Sequence, residues 1–140
     1  MKKHKNKEKN NPTNLIQYIK CINLDLEYIE KRLMNKLGWS QKKTKEAIRK
    51  YKNFLLLILK YPEQQFAPTS DIDEVWHNHI LFTRDYTNDC QAIFGKYIHH
   101  NPYKNTGPKE NHMKQKIGSQ TSDIYFQEFH EKYIPENRKV

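Results

Sequence analysis

Six consecutive apolar residues, Phe54 to Leu59 (FLLLIL), sit inside a segment that otherwise has the pattern of a two-faced helix. Ser40 suits an N-cap, and the segment runs to about Tyr61 before Pro62. At about 100° per residue, Ala47, Ile48, Tyr51, Phe54, Leu55 and Ile58 share one side. The FLLLIL block is apolar all round, so neighbours must enclose this end of the helix on several sides. At 140 residues the chain is one domain with tails, able to bury roughly two thirds of its unfolded surface.

The flanking segments are helical too. Leu15, Ile19, Ile22, Leu26, Ile29, Leu33 and Leu37 recur at steps of four and three, which predicts one helix from Thr13 to Gly38. Cys21 falls off that stripe and is expected to be incidental. After the loop YPEQQFAP, Thr69 or Ser70 opens a third helix, continuous to Phe94 and stopped by Gly95. From about 101 to 120 the chain is polar, holds two prolines and shows no useful periodicity, which predicts a flexible loop. A short last helix follows, Ser122 to about Ile134, with Tyr125 or Phe126, Phe129 and Tyr133 inward. The expected fold is all-α, a small irregular four-helix domain over 13–134, with a basic tail at 1–12 and a C-terminal tail at 135–140.

Charge narrows the partners. The net charge is +9, but MKKHKNKEKN at the start supplies +4 of it, so the basic balance is largely a property of the tail. Within the domain, Lys42, Lys45, Arg49 and Lys52 line the outer side of the second helix. They are candidates for contacting phosphate in nucleic acid or an acidic protein. No apolar run approaches the ~20 residues of a membrane span, and no apolar segment follows the N-terminal lysines. Two cysteines without a secretory signal read as free thiols. A cytoplasmic protein with no membrane partner is therefore expected.

Four of the seven histidines lie between His77 and His100. On a regular third helix, Ile72, Trp76, His79, Thr83, Tyr86, Cys90 and Ile93 form the inner stripe, so His79 points inward. His77 is about 200° away from it and cannot share an ion with it. His79 and Cys90 share a face but stand roughly 16 Å apart on a straight helix. Asp73 and His77, one turn apart, can chelate, and His99 or His100 could complete the set if the chain folds back. One carboxylate with imidazoles suits zinc or iron. Cys90 reads as a small buried hydrophobe and His79 as a core histidine.

GWS (38–40), YKNFLLL, DIDEVWHNHI after Pro68, Y-x-x-DC (86–90), FG (94–95) and HH-x-PY (99–103) together resemble the bacterial and plant family called glycine-rich domain-containing proteins. The resemblance spans about 30–103, and no glycine-rich tract is present. It implies a shared local structure around Asp73, Trp76, His77, His79, Tyr86, Asp89, Cys90, His99 and His100, and brings no reaction with it. Longer plant members are linked to development and stress and some carry RNA-binding segments, which have no match in this chain.

Three readings stand at this point. The first is a small binding module whose Trp/His/Asp pocket holds a metal or a small polar ligand. The second is an interaction domain in which the histidines stabilise the fold and basic surfaces meet nucleic acid or an acidic partner. The third is a metal-dependent enzyme.

Overall fold

The structure is a computed structural model that describes residues 12–101 and 107–133, with side chains from Leu15 onward. The expected tails, the Thr13 cap and part of the polar loop lie outside the described residues or side chains. The described residues form six helices and no strand: α1 (Pro12–Ile22), α2 (Glu27–Leu37), α3 (Gln41–Lys60), α4 (Ser70–Leu81), α5 (Thr83–Phe94) and α6 (Pro108–Phe129). The all-α expectation holds, while the count of four gives way to six.

Helix α3 is the centre, packed by α1, α2, α4 and α6. Phe54, Leu55 and Leu57 are buried and Leu56, Ile58 and Leu59 half-buried, so the FLLLIL block is enclosed on several sides. GWS explains how the chain enters α3. Gly38 closes α2 in the left-handed region at φ 69°, a conformation in which a Cβ is disfavoured. Ser40 then caps α3 by accepting the Lys43 N–H at 3.1 Å, and Lys43 lies over the Trp39 ring.

The predicted first helix is broken between Asn23 and Leu26. The Asp25 carboxylate accepts the Glu27 N–H at 3.2 Å, offering the backbone a turn in place of another helical bond. Lys52 reaches across from α3 to the carbonyls of Ile22 (3.1 Å) and Leu24 (2.7 Å), satisfying acceptors that the end of α1 leaves open. This break reverses the expectation for Cys21. It is fully buried, and Leu15, Ile19 and Ile22 from the predicted stripe are exposed instead. Burial pushes the Cys21 thiol up to about 12, with Lys52 opposing.

The 108–120 stretch, expected to be loop, forms the first half of α6. Pro108 fits the start of the helix, where its missing N–H is no loss. Ile117, Thr121 and Tyr125 are buried at steps of four. Ile124 and Phe129 also pack against the core, and polar contacts add to the attachment. Asn53 donates to the Tyr125 hydroxyl at 3.0 Å, Lys60 pairs with Glu128 at 2.6 Å, and Tyr61 also bonds Glu128. The Thr121 hydroxyl donates to the Ile117 carbonyl and accepts the Ala67 N–H at 3.0 Å, clamping the α3–α4 loop onto α6.

Replacing that hydroxyl by a methyl group of equal shape isolates its contribution. Thr121→Val leaves the part-buried Ala67 N–H without its acceptor and is expected to lower stability by about 1–3 kcal/mol in urea denaturation. Thr121→Ser, which keeps the hydroxyl, should retain most of the wild-type midpoint.

Candidate functional site

The predicted third helix is also two helices. At Phe82 the backbone leaves helical geometry (φ −89°, ψ 75°), and α5 begins at the next residue. The Phe82 ring packs edge-on against Tyr28 of α2, with centroids 4.8 Å apart, and Arg32 approaches it. A ring drawn into that contact supplies the local reason for the bend. Residues ten apart would lie ~15 Å from each other on a straight helix. Across the bend they touch.

Two such pairs build the interior of the site. His79 Nε2 is 2.9 Å from Asp89 Oδ2, and Trp76 Nε1–H donates to the Tyr86 hydroxyl at 2.9 Å. Tyr51 of α3 sits 2.7 Å from His79 Nδ1. Burial holds the Tyr51 phenol well above its ordinary range, so it remains a donor. With Tyr51 donating to Nδ1 and Nε2–H donating to Asp89, both ring nitrogens of a fully buried imidazole are satisfied. Tyr86 continues the chain by donating to the Ile98 carbonyl, which fastens the segment after α5 onto the core.

That segment is the return the sequence left open. Gly95 ends α5 in the left-handed region at φ 74°, and the chain turns back along α4. His100 arrives with its ring parallel to Trp76 (4.1 Å between centroids, 3° between planes) and its Nε2 2.6 Å from Asp73 Oδ1. Trp76 is therefore shared: its N–H points into the interior network and its face supports His100.

Of the four candidate metal ligands, the structure brings Asp73 and His100 together. His77 is exposed one turn along α4, and His99 is exposed beside Tyr97. Among the described residues, no three His, Cys, Asp or Glu side chains are grouped to hold an ion. Cys90 is buried, and burial raises its thiol despite a bond from Ile98, so it behaves as a core residue and not as an activated nucleophile.

The basic side of α3 is largely committed within the fold. Lys45 pairs with Glu30 at 3.2 Å, Arg49 forks to Glu46 and Glu131, and Lys52 serves the carbonyls described above. Lys42 is exposed. Three of the four expected phosphate contacts thus have internal partners, which weakens that stripe as an electrostatic surface.

Two residues of the site escaped the sequence reading. Tyr51 was placed inward but given no partner, although a buried phenol demands one. Asn78, between the two histidines, is buried; it accepts from Arg32 Nε at 2.7 Å and donates to the Glu74 carbonyl. It ties α4 to α2, so all four residues of WHNH have distinct surroundings.

The network predicts a specific separation of effects. Tyr51→Phe leaves His79 Nδ1 without a donor and is expected to destabilise the fold globally by about 1–3 kcal/mol. Tyr86→Phe frees the Ile98 carbonyl, and hydrogen exchange should show faster exchange at 96–101 beyond the global change.

The sequence matches the family described as UCP032817-like over residues 15–121, more than half of the chain. Two curated plant proteins from Arabidopsis thaliana are similar over 59 residues, covering 39% of this chain. Glycine-rich domain-containing protein 2 is 41% identical there, and glycine-rich domain-containing protein 1 is 37% identical. The match takes in 8% and 7% of their respective lengths, so this chain corresponds to a small part of either. No solved structure matches the chain significantly.

Proposed function

The chain belongs to the UCP032817-like family, and we propose that it is a non-catalytic helical binding module. Its ligand-facing group is the Asp73–His100 pair above Trp76, with His77 beside it. The observation that carries this reading is the division of the motif by exposure. His79, Trp76, Tyr86 and Asn78 are buried and direct their hydrogen bonds to other groups of the chain, as a rigid support requires. Asp73 and His100 remain partly open, with side-chain exposures of 50% and 22%, and lie 2.6 Å apart.

The chemistry of the pair sets the ligand class. A carboxylate oxygen and an imidazole nitrogen on a stacked, immobilised ring suit a borderline divalent cation such as zinc or iron(II). His77 is four residues after Asp73, so both project from one face of α4 and a change of side-chain rotamer would add a third donor. The same donors could hold a small polar molecule by hydrogen bonds.

A second reading follows from the same burial pattern: the motif is architectural, and His100 is a clasp that holds 96–101 onto α4. Zn²⁺ titration of the full chain by calorimetry, with elemental analysis of the purified protein, separates the two. The binding reading expects about one Zn²⁺ per chain, with affinity falling roughly 10- to 100-fold in Asp73→Asn, His77→Ala and His100→Gln. No Zn²⁺ uptake by the wild type, with His100→Gln only less stable, would leave the clasp.

A further inference from the structure

We propose that the outer face of α1 docks on an anionic lipid surface, independently of the histidine motif. Helix α1 packs against α3 and α5 with a side centred on buried Cys21 and half-buried Gln17 and Tyr18. That leaves Leu15, Ile16, Ile19 and Ile22 turned outward, each between 48% and 60% exposed. Scattered exposed apolar residues are ordinary on a protein surface, but four large aliphatic side chains within two turns of one helix form a continuous stripe.

Charge selects the occupant. No acidic residue occurs from 9 to 24, Lys20 is exposed at the edge of the stripe, and Lys2, Lys3, Lys5, Lys7 and Lys9 precede it in sequence. Lys9 is six residues from Leu15, a separation the backbone spans in at most ~22 Å. A second copy on this face would bring the same excess of lysine and, over 9–24, no acidic residue to answer it. A bilayer interface with anionic headgroups accepts both features. The aliphatic stripe enters the boundary between headgroups and acyl chains, and the lysines meet the negative surface potential. Each contribution is modest alone, and stable attachment arises from their combination. This is contact with a membrane surface, distinct from spanning: no described helix is long and apolar enough to cross a bilayer.

The test is flotation of the full chain with vesicles of phosphatidylcholine alone or phosphatidylcholine with phosphatidylserine. Wild type is expected to float with the anionic vesicles, and less as salt is raised. Leu15→Ser with Ile19→Ser should reduce binding roughly tenfold or more. Both positions are exposed, so the thermal midpoint should stay near wild type. Changing Lys2, Lys3, Lys5, Lys7 and Lys9 together to Gln should reduce binding by a similar factor. The proposal is overturned if wild type does not float with anionic vesicles. It is also overturned if the serine pair binds as wild type does, since the lysines alone would then be acting. A concentration-dependent dimer lost in the serine pair, without vesicle binding, would assign the face to a second copy. Tight binding of an RNA oligonucleotide without vesicle binding would assign the lysines to nucleic acid.

Discussion

The site depends on the loss of helical geometry at Phe82. Were α4 and α5 one straight rod, His79 and Asp89 would be separated by nearly three turns, and so would Trp76 and Tyr86. The bend turns each separation into a hydrogen bond of 2.9 Å. It also turns the end of α5 back, so that the chain after Gly95 runs within reach of α4 and His100 lands on Trp76. The apolar ring of Phe82, held edge-on by Tyr28, thus helps to position a set of polar groups on either side of the bend. The stability of this arrangement is cooperative in a simple sense. Removing one partner of a buried pair leaves the other desolvated without compensation.

Along 70–94 periodicity gave the facing of most side chains, with Thr83 the exception because it is exposed, but it misjudged where helices end. The angular reading placed His79, Tyr86 and Cys90 inward and separated His77 from them, and burial agrees at each position. The axial reading failed because a stripe at steps of three and four continues through Phe82 as though nothing happened. Phe82 is not one of the stripe's residues, so a bend there leaves the spacing in sequence unchanged. The same blindness merged α1 with α2. There the pattern was carried by Leu15, Ile19 and Ile22, which face outward, and Cys21 took the buried position. The available signal was chemical: Asn23 and Asp25 are residues whose side chains compete for backbone bonds.

Helix α6 was hidden for a different reason. Its buried contacts use Thr121 and Tyr125 along with one isoleucine, and its fastening to α3 runs through Asn53, Lys60, Tyr61 and Glu128. A scale that looks for apolar stripes does not register a helix held in part by hydrogen bonds. The charge reading met the mirror image of this problem. A row of cations on α3 looks like a surface for a partner until the acids that answer it, Glu30, Glu46 and Glu131, are placed in space. What sequence distance hides in both cases is the partner.

WHNH can then be understood as a junction. Successive residues on a helix turn by about 100°, so four in a row reach every side of α4. His79 faces α3 and α5, Asn78 faces α2, and His77 faces out. Trp76 joins the inner and outer parts because an indole has an edge and a face with different chemistry. The edge donates to Tyr86 inside, and the face carries His100 outside. A phenylalanine at 76 could support the stack but not the edge bond, and a histidine could not offer the same face. The tryptophan is therefore the residue through which a change at the Asp73–His100 pair would be felt by the core.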